Sequence, residues 1–321
     1  MSATATVAAT PRVSVVIPVF NAERHVVATI ASALASELAD LEVLAVDDGS
    51  TDASAAQVAS ISDPRVRLIR EAASGGPSRP RNVGIAHARA PYVAFLDADD
   101  LLKPRKLSEA VAALDAQPQA GIAFADFERI DIDGKLIGAS TLADYPVFLG
   151  LRSEPLGGQW RVIRQPDFAR GLLEENFIGT SGAVVRRSFL ERIGGFDEGL
   201  KYSEDRDLWF RLAHTGDALY QNVIGHSYRV VQGSLSSRAG VRHSHSRIEV
   251  LYRERRRWAG AADRRLIDRV IGANLAAIGY DERRAGRRLS SAGQFLRAFA
   301  LARRARYLRA AVGSLLTAGP R

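Results

Sequence analysis

Three carboxylates stand within four residues, at Asp97, Asp99 and Asp100, directly after the apolar run at residues 92–96. Two like unit charges about 4 Å apart repel by about 4 kcal/mol at an effective dielectric constant of about 20, so this cluster favours a bound cation. Mg²⁺ or Mn²⁺ suits it best, because magnesium typically takes one or two protein carboxylates and completes its shell with phosphates and water. The alternative is a solvated loop in which Asp100 caps a helix that starts near Leu101.

A second acidic pair, Asp47 and Asp48, ends the apolar run at residues 41–46. Residues 49–52 supply turn and helix-capping side chains, but capping does not require two preceding aspartates. One of the two carboxylates could accept the imide N–H of a pyrimidine base. Equally, both could be ordinary polar residues at the end of a strand.

A third acidic group, Glu204 and Asp205, stands at the start of a predicted helix over residues 204–214. Acidic residues in a first turn complement the helix dipole, which is one explanation for them. The other explanation is that one carboxylate serves as a general base toward an acceptor hydroxyl.

The elements that must position these groups alternate between strand and helix. The run at residues 13–17, ended by Pro18, is typical of a strand buried on both faces, and Asn21 is interpreted as the N-cap of the helix that follows. Further strands are predicted at residues 41–46, 66–69 and 92–96, with a glycine-rich loop at 74–80 and a helix at 81–88. Such alternation predicts right-handed crossovers and a mostly parallel sheet.

Ligands bind such sheets at the carboxyl ends of the strands. The polar residues that follow the four predicted strands, taken in chain order, are Asn21, Asp47, Asp48, Arg81, Asp97, Asp99 and Asp100. The sequence therefore predicts that four strand ends converge on one crevice.

The second half of the chain has a more mixed pattern. Its predicted elements are a helix ending near residue 116, a strand at 121–127, a turn at Asp133-Gly134, a helix at 168–175, a strand-like run at 178–185 and helix from about 246. Residues 138–166 are expected to be irregular, and a connection of that length is more often a binding loop than filler.

Composition narrows the function classes. The chain has 321 residues, 46% of them hydrophobic, and no cysteine, which excludes disulfides, thiolate metal sites and cysteine nucleophiles. No window resembles a membrane span or a secretory signal, so a soluble cytoplasmic protein is expected. The formal charge of +8 is uneven, since residues 237–321 carry 20 Arg against 6 acidic residues.

The basic C-terminal region contains an amphipathic stretch. Apolar residues recur at spacings of four and three at Leu301, Ala305, Leu308, Val312 and Leu315, accompanied by arginines. One interpretation is a helix that lies at the inner face of the plasma membrane, attracted to anionic lipid. The alternative is a helix packed on the body or on a second subunit. No nucleic-acid partner is expected, because no recognised binding module is present and the strand-end half is acidic.

Five segments occur in the order and approximate spacing of a known family: VSVVIPVFNAE, LEVLAVDDGSTD, PRNVGIAHA, YVAFLDADD and SEDRDLWFRL. Across residues 12 to about 236 the chain resembles the family 2 glycosyltransferases, which are inverting enzymes. The resemblance implies an α/β fold of GT-A type, with a Rossmann-like, mostly parallel sheet flanked by helices. Here a helical, basic C-terminal extension would follow it.

The resemblance also implies roles for particular residues. Pro18, Val19 and Phe20 would line the base and ribose pocket of a nucleotide sugar, with Asn21 beside them, and Asp48 would contact uracil. Arg81 would lie near the nucleotide. Asp97 and Asp99 match the DxD motif that binds a divalent metal, Mn²⁺ or Mg²⁺, with Asp99 the direct ligand. Asp205 matches the catalytic base, and Glu204 would shape the acceptor site.

One position departs from the family pattern. Many relatives carry a histidine shortly after a Tyr-Arg pair, whereas Tyr228-Arg229 is followed here by Val230, Val231 and then residues 232–236 without a histidine. His226 is nearby, but a lone histidine is more often a structural residue than a ligand. Metal binding would then rest on carboxylates and phosphates.

The predicted organisation is a flexible terminus at residues 1–11, a glycosyltransferase domain at 12–236 and an Arg-rich helical extension at 237–321. Within the domain, residues 12–103 are expected to bind the nucleotide sugar, a UDP-sugar, and residues 104–236 a glycan or lipid-linked acceptor. The expected activity is metal-dependent sugar transfer in cell-surface polysaccharide or glycolipid assembly. Two alternatives stay open, a catalytically silent scaffold and a sugar-phosphate nucleotidyltransferase, although the latter needs a glycine-rich basic loop after the first strand.

Overall fold

A computed structural model describes residues 10–231 and 240–316. The strands are β1 (Val13–Val19), β2 (Leu41–Asp48), β3 (Val66–Glu71), β4 (Tyr92–Phe95), β5 (Leu101–Leu102), β6 (Ala120–Ile130), β7 (Leu136–Gly138), β8 (Glu154–Gly157), β9 (Trp160–Ile163), β10 (Val184–Arg186) and β11 (Asp217–Arg229). The helices are α1 (Val26–Leu34), α2 (Ser54–Ala59), α3 (Ser78–His87), α4 (Lys106–Ala116), α5 (Pro146–Leu149), α6 (Asp167–Glu174), α7 (Arg187–Ile193), α8 (Glu204–Ala213), α9 (Gly240–Arg257), α10 (Ala261–Arg284), α11 (Arg288–Ala302) and α12 (Ala305–Leu316).

The strands form one mixed sheet in the order β3-β2-β1-β4-β10-β6-β11-β9-β8, with β5 on β11 and β7 on β6. In the first half β3, β2, β1 and β4 are mutually parallel, as predicted, because helical crossovers connect strands that run in the same direction. In the second half β10 is antiparallel to both of its neighbours, and a two-residue turn joins β8 to β9 as an antiparallel hairpin. The polar ends of β1, β2, β3 and β4 therefore lie along one edge.

Both faces of the parallel half are covered by apolar side chains. Alternate residues of β1 enter opposite clusters, with Val16 on one face and Val15 and Ile17 on the other. This burial explains why β1 is a continuous apolar run rather than an alternating one. Helix α1 covers one face through Val26 and Ile30, which are four residues apart and fully buried.

The C-terminal helices share the larger of these clusters. Trp209 of α8, Leu251 of α9, Ile271 of α10 and Phe295 of α11 are all buried within it. Helices α9, α10 and α11 therefore continue the core of the sheet domain. The predicted domain boundary between residues 236 and 237, residues 232–236 themselves and residues 1–9 of the predicted flexible terminus lie outside the described residues.

Several local predictions were wrong. Asn21 does not cap a helix, because α1 begins at Val26, and Asn21 instead has a left-handed backbone with φ of 50°. The alternative interpretation of Asp100 as a helix cap is excluded, since Leu101–Leu102 is a strand that pairs with β11. The strand-like run at residues 178–185 yields only the short β10.

Residues 138–166 are also more ordered than predicted. The segment contains a 3₁₀ turn at Leu142–Asp144, the helix α5 and the hairpin of β8 and β9. The hairpin extends the sheet because β9 pairs with β11, from Ala218 opposite Ile163 to Gln221 opposite Trp160. The prolines and glycines that suggested an irregular loop lie within or beside these short elements, with Pro146 as the first residue of α5 and Gly158 in the turn of the hairpin.

Candidate active site

The loops after β1 and β2 are hydrogen-bonded to each other at the carboxyl ends of the strands. The Oδ1 atom of Asn21 accepts a hydrogen bond of 2.9 Å from the backbone N–H of Thr51, and the N–H of Asn21 donates to Ser50 Oγ at 3.1 Å. Phe20, which precedes Asn21 in the chain, has 56% of its surface exposed, while Pro18 is partly buried. An exposed aromatic ring at this edge offers a flat apolar surface to a planar ligand.

Asp48 is buried at the end of β2 and holds the start of the glycine-rich loop. Its two carboxylate oxygens accept hydrogen bonds from the backbone N–H and the hydroxyl of Ser74, at 3.0 and 2.9 Å. The neighbouring Asp47 is also buried, and no hydrogen-bond donor among the described residues reaches its Oδ1 atom. The acidic pair therefore brings the loop at residues 74–80 to the same edge as Phe20.

Arg81 lies in α3 with its side chain only 4% exposed and joins two of the predicted acidic groups. One guanidinium nitrogen donates to Asp97 Oδ1 at 2.6 Å and another donates to Glu204 Oε1 at 2.9 Å. The guanidinium also lies over the ring of Phe196, 5.2 Å from its centroid. Burial alone would lower the pKa of Arg81, but the charges of Asp97 and Glu204 outweigh it and raise that pKa.

The turn at residues 97–100 is stabilised by hydrogen bonds from Arg229, the last residue of β11, and from Ser181. Asp100 is fully buried, and its carboxylate accepts hydrogen bonds from the Arg229 backbone N–H at 2.8 Å and from the Ser181 hydroxyl. The Arg229 side chain donates through Nε to the carbonyl oxygen of Asp99 at 2.9 Å. Asp100 thus shapes the turn, whereas Asp97 and Asp99 remain partly exposed.

The carboxylates of Asp97 and Asp99 fit a divalent cation. Burial, and then the charge of Asp97, raise the pKa of Asp99 to about 6, and no side-chain donor among the described residues engages its carboxylate. Asp97 gives only one of its oxygens to Arg81. Residues 10–231 and 240–316 contain no cluster of three or more metal-ligating side chains, so a cation would need phosphate or water ligands as well.

His226 has the surroundings of a structural residue. It is buried in β11 and stacks on Phe127, with the ring centroids 4.8 Å apart. Burial, followed by the charges of Lys106 and Lys103, lowers the pKa of His226 to about 3. A Cβ atom on Gly179 or Gly182 would lie within 3.2 Å of this ring, so the glycines permit its close packing.

Helix α8 begins with the third acidic group and directs its carboxylates to different places. Glu204 faces Arg81, and burial, then the charge of Asp205, raise the pKa of Glu204 to about 7. Asp207 turns away to Arg211, at 2.8 Å. Asp205 accepts hydrogen bonds from Asn176 Nδ2 at 2.9 Å and from the Arg206 backbone N–H at 2.7 Å. Both oxygens of Asp205 therefore have a fixed orientation.

The position of Asn176 is set by the end of α6. Arg206 donates to the carbonyl oxygens of Leu172 and Leu173, and Arg247 of α9 donates to that of Glu174 at 2.8 Å. These arginines satisfy carbonyl groups that a helix C-terminus leaves unpaired. Helix α9, which lies in the predicted extension, thus supports the segment that holds Asp205.

Of the predicted site residues, the structure brings Arg81, Asp97 and Glu204 into direct contact. Phe20, Asn21 and Asp48 lie at the neighbouring strand ends. Asp205 directly follows Glu204, and Asp99 is two residues after Asp97. Sequence reasoning missed the residues that hold these groups in place, namely Ser74, Asn176, Ser181, Phe196 and Arg229. None of them stands in a recognisable pattern, although Arg229 belongs to the Tyr-Arg pair singled out above.

The model of the family described as glycosyl transferase family 2 matches residues 14–194, which is more than half of the chain. The chain belongs to this family. Among curated relatives, it is 34% identical over 232 residues to the succinoglycan biosynthesis protein ExoO of Rhizobium meliloti, covering 70% of this chain and 63% of ExoO. It is 29% identical over 246 residues to the O-antigen biosynthesis protein RfbC of Myxococcus xanthus, covering 72% of this chain and 18% of RfbC.

The fold of this family 2 chain is of GT-A type. It is similar to the crystal structure of S. aureus TarS residues 1–349 in complex with UDP-GlcNAc, with a TM-score of 0.66 and 17% sequence identity. The similarity covers 94% of this chain and 88% of that one, so it includes the C-terminal helices. The predicted fold class, an α/β sheet domain with a helical C-terminal region, is confirmed. No helix in the described parts of the chain is long and apolar enough to cross a membrane.

Proposed function

We propose that the protein is an inverting glycosyltransferase that moves a hexosyl group from a UDP-sugar to an acceptor hydroxyl. The observation that carries the proposal is the bridge through Arg81, which ties Asp97 of the DxD motif to Glu204 beside Asp205. The bridge keeps the donor carboxylates and the base within one crevice. Membership of glycosyl transferase family 2 supports the reaction class, and the TarS structures solved with UDP and UDP-GlcNAc support the choice of nucleotide.

The donor site is built from the ends of β1, β2 and β4. Uracil would lie against Phe20 and Pro18, with an imide N–H directed at the carboxylates of Asp47 and Asp48. Asp47 Oδ1 supports this arrangement because it is a buried acceptor that no described donor satisfies. Asp97 and Asp99 would hold Mn²⁺ or Mg²⁺, and the cation would stabilise the charge that develops on the departing nucleoside diphosphate.

Asp205 is the proposed general base. It takes the proton of the acceptor hydroxyl, whose oxygen attacks the anomeric carbon from the face opposite the phosphate. The new bond joins the acceptor oxygen to that carbon, and the bond to phosphate breaks with its electron pair leaving on the UDP. One in-line displacement of this kind inverts the anomeric configuration. Asn176 and the Arg206 N–H orient the carboxylate for the transfer.

The acceptor would occupy the half of the crevice next to α8, where Glu204 helps to form its wall. We infer a glycan or lipid-linked acceptor in cell-surface polysaccharide or glycolipid assembly, at the cytoplasmic side of the membrane. The names of the relatives ExoO and RfbC, in succinoglycan and O-antigen biosynthesis, support this process. The chain spans less than two thirds of the length of either relative, so a role in polysaccharide or glycolipid assembly is a proposal for this chain.

The test is a screen of UDP-, GDP- and dTDP-sugars for sugar release, with and without Mn²⁺. We expect turnover with a UDP-sugar and Mn²⁺, loss of turnover but retention of UDP binding in Asp205→Asn, and loss of both in Asp99→Asn. Asp133→Asn is the matched control, because it makes the same change in an exposed turn. UDP binding by the wild type without turnover of any donor would favour a catalytically silent binding protein. Unchanged turnover in either site variant would contradict the assigned roles.

A further inference from the structure

Helix α12 has one docked face and one open face. Its docked face is buried through Tyr307, Ala311 and Ser314, and the Ser314 hydroxyl lies 2.9 Å from that of Ser291 in α11. Its open face carries the apolar side chains Leu308, Val312, Leu315 and Leu316, which are between 42% and 78% exposed. Their spacing of four, three and one residues aligns them along one side of the helix. We call these four residues the α12 outer face.

A continuous apolar stripe of this kind differs from the single exposed hydrophobic residues found on most protein surfaces. Single exposed residues need no explanation, whereas a contiguous exposed apolar surface marks a site of interaction. The adjacent helix α11 also exposes Leu289 and Leu296, which are 82% and 49% accessible. The interaction surface is therefore at the end of the chain farthest in sequence from the catalytic residues.

The charged residues of the sequence that carries the α12 outer face are entirely basic. Residues 283–321 contain ten arginines and no aspartate or glutamate. The exposed arginines of α12 and of the turn before it are Arg303, Arg304, Arg306 and Arg309. None of these four forms an ion pair with a carboxylate of the described residues, whereas Arg253 and Arg255 of α9 pair with Asp197 and Asp268. The positive charge is thus uncompensated at the helix that exposes apolar side chains.

We propose that the α12 outer face docks on an anionic lipid bilayer, with the helix lying parallel to the membrane plane. Apolar side chains would enter the boundary between headgroups and acyl chains, and the arginine guanidinium groups would reach the lipid phosphates. The charge selects this occupant, because a second copy of the chain would bring the same arginines together without an acidic partner on α12. The surface contains no active-site residue, so the proposal stands independently of sugar transfer.

The test is sedimentation of the full chain with vesicles of phosphatidylcholine alone and of phosphatidylcholine mixed with phosphatidylglycerol. We expect binding only to the anionic vesicles, and weaker binding as salt is raised. The triple variant Leu308→Gln/Val312→Gln/Leu315→Gln should lose at least tenfold in partitioning, since burial of apolar side chains drives insertion. Thermal melting of each variant checks that the exposed substitutions leave the fold intact.

A second pair of variants separates a specific surface from general charge attraction. Arg304→Gln/Arg309→Gln should weaken partitioning roughly 20- to 30-fold, because each basic residue near an anionic surface contributes roughly fivefold. The matched control is Arg242→Gln/Arg256→Gln, which removes the same charge from exposed positions on α9. Equal loss in the control would overturn the proposal, as would absence of vesicle binding by the wild type. A wild-type dimer that becomes monomeric in the triple variant would assign the surface to a second copy instead. All variants should keep wild-type sugar release from a soluble donor.

Discussion

Replacement of Arg81 by methionine tests the bridge between the two halves of the crevice. The side chains of Arg81, Glu204 and Asp97 are 4%, 12% and 33% exposed, so the change leaves two carboxylates without their common cation in a largely buried setting. Removing one partner of a buried ion pair costs about 3–5 kcal/mol. We expect the lower end, about 3 kcal/mol, because Asp97 retains contact with water and Glu204 can take up a proton.

The assay is urea unfolding of Arg81→Met, Glu204→Gln and the double variant at neutral pH. If the bridge exists, removing the Glu204 charge reduces the destabilisation caused by Arg81→Met. The double variant then loses about 1–2 kcal/mol less free energy of unfolding than the sum of the losses in the two single variants. Arg79→Met is the matched control on the same helix, since Arg79 pairs with Glu71 at the surface and should cost less than about 1 kcal/mol. Strictly additive losses for Arg81 and Glu204 would refute the coupling.

Three further predictions concern the orientation of the base and two buried titrating groups. Asn176→Ala should slow sugar transfer roughly tenfold with little change in the donor KM, because Asp205 loses one oriented hydrogen bond; a change confined to KM in steady-state kinetics would argue against this role. Burial lowers the pKa of Lys106 from 10.5 to about 7, so the wild type should gain stability as pH rises between those values. Lys106→Met should abolish this gain and stabilise the protein by about 1–3 kcal/mol at neutral pH, which thermal melts across pH will check. The pKa of Glu204 is raised from 4.5 to about 7, so without divalent cations stability should fall as pH rises through that window. Glu204→Gln should show a shallower fall in the same melts.

The parallel half of the fold was predictable because each of its signals is local. The buried runs that became β1, β2 and β4 are continuous and apolar, and the polar residues at their ends are adjacent in sequence. The alternation of strand and helix predicted that these strands would be parallel. Strand and helix patterns alone fit many nucleotide-binding folds. The prediction of a GT-A fold, which is confirmed, therefore depended on the five ordered segments as well.

The supporting residues of the site could not be predicted, because their contacts are made between distant segments. Ser181 reaches Asp100 only because β10, a strand of three residues, inserts between β4 and β6. So short a strand has no periodicity to recognise. Arg81 was expected near the nucleotide, yet the sequence held no sign that its guanidinium would be shared between Asp97 and Glu204.

Helix α9 packs on the sheet domain in a way that composition does not reveal. It lies in the predicted Arg-rich extension, and in the structure Arg247 supports the end of α6 and Leu251 is buried in the main core. Charge counts treat every arginine alike, whereas the structure pairs Arg247, Arg253 and Arg255 of α9 with carbonyl or carboxylate oxygens and leaves the arginines of α12 exposed. Whether an arginine is paired or exposed therefore depends on tertiary packing.

The central claim is that a UDP-sugar and the base Asp205 share one crevice at the strand ends. A crystal structure of the protein with UDP and Mn²⁺ tests it most directly. We expect the uracil beside Phe20 and the Asp47-Asp48 pair, and the pyrophosphate and metal at Asp97 and Asp99. UDP bound elsewhere, or bound with Asp205 facing away from the pyrophosphate, would contradict the account.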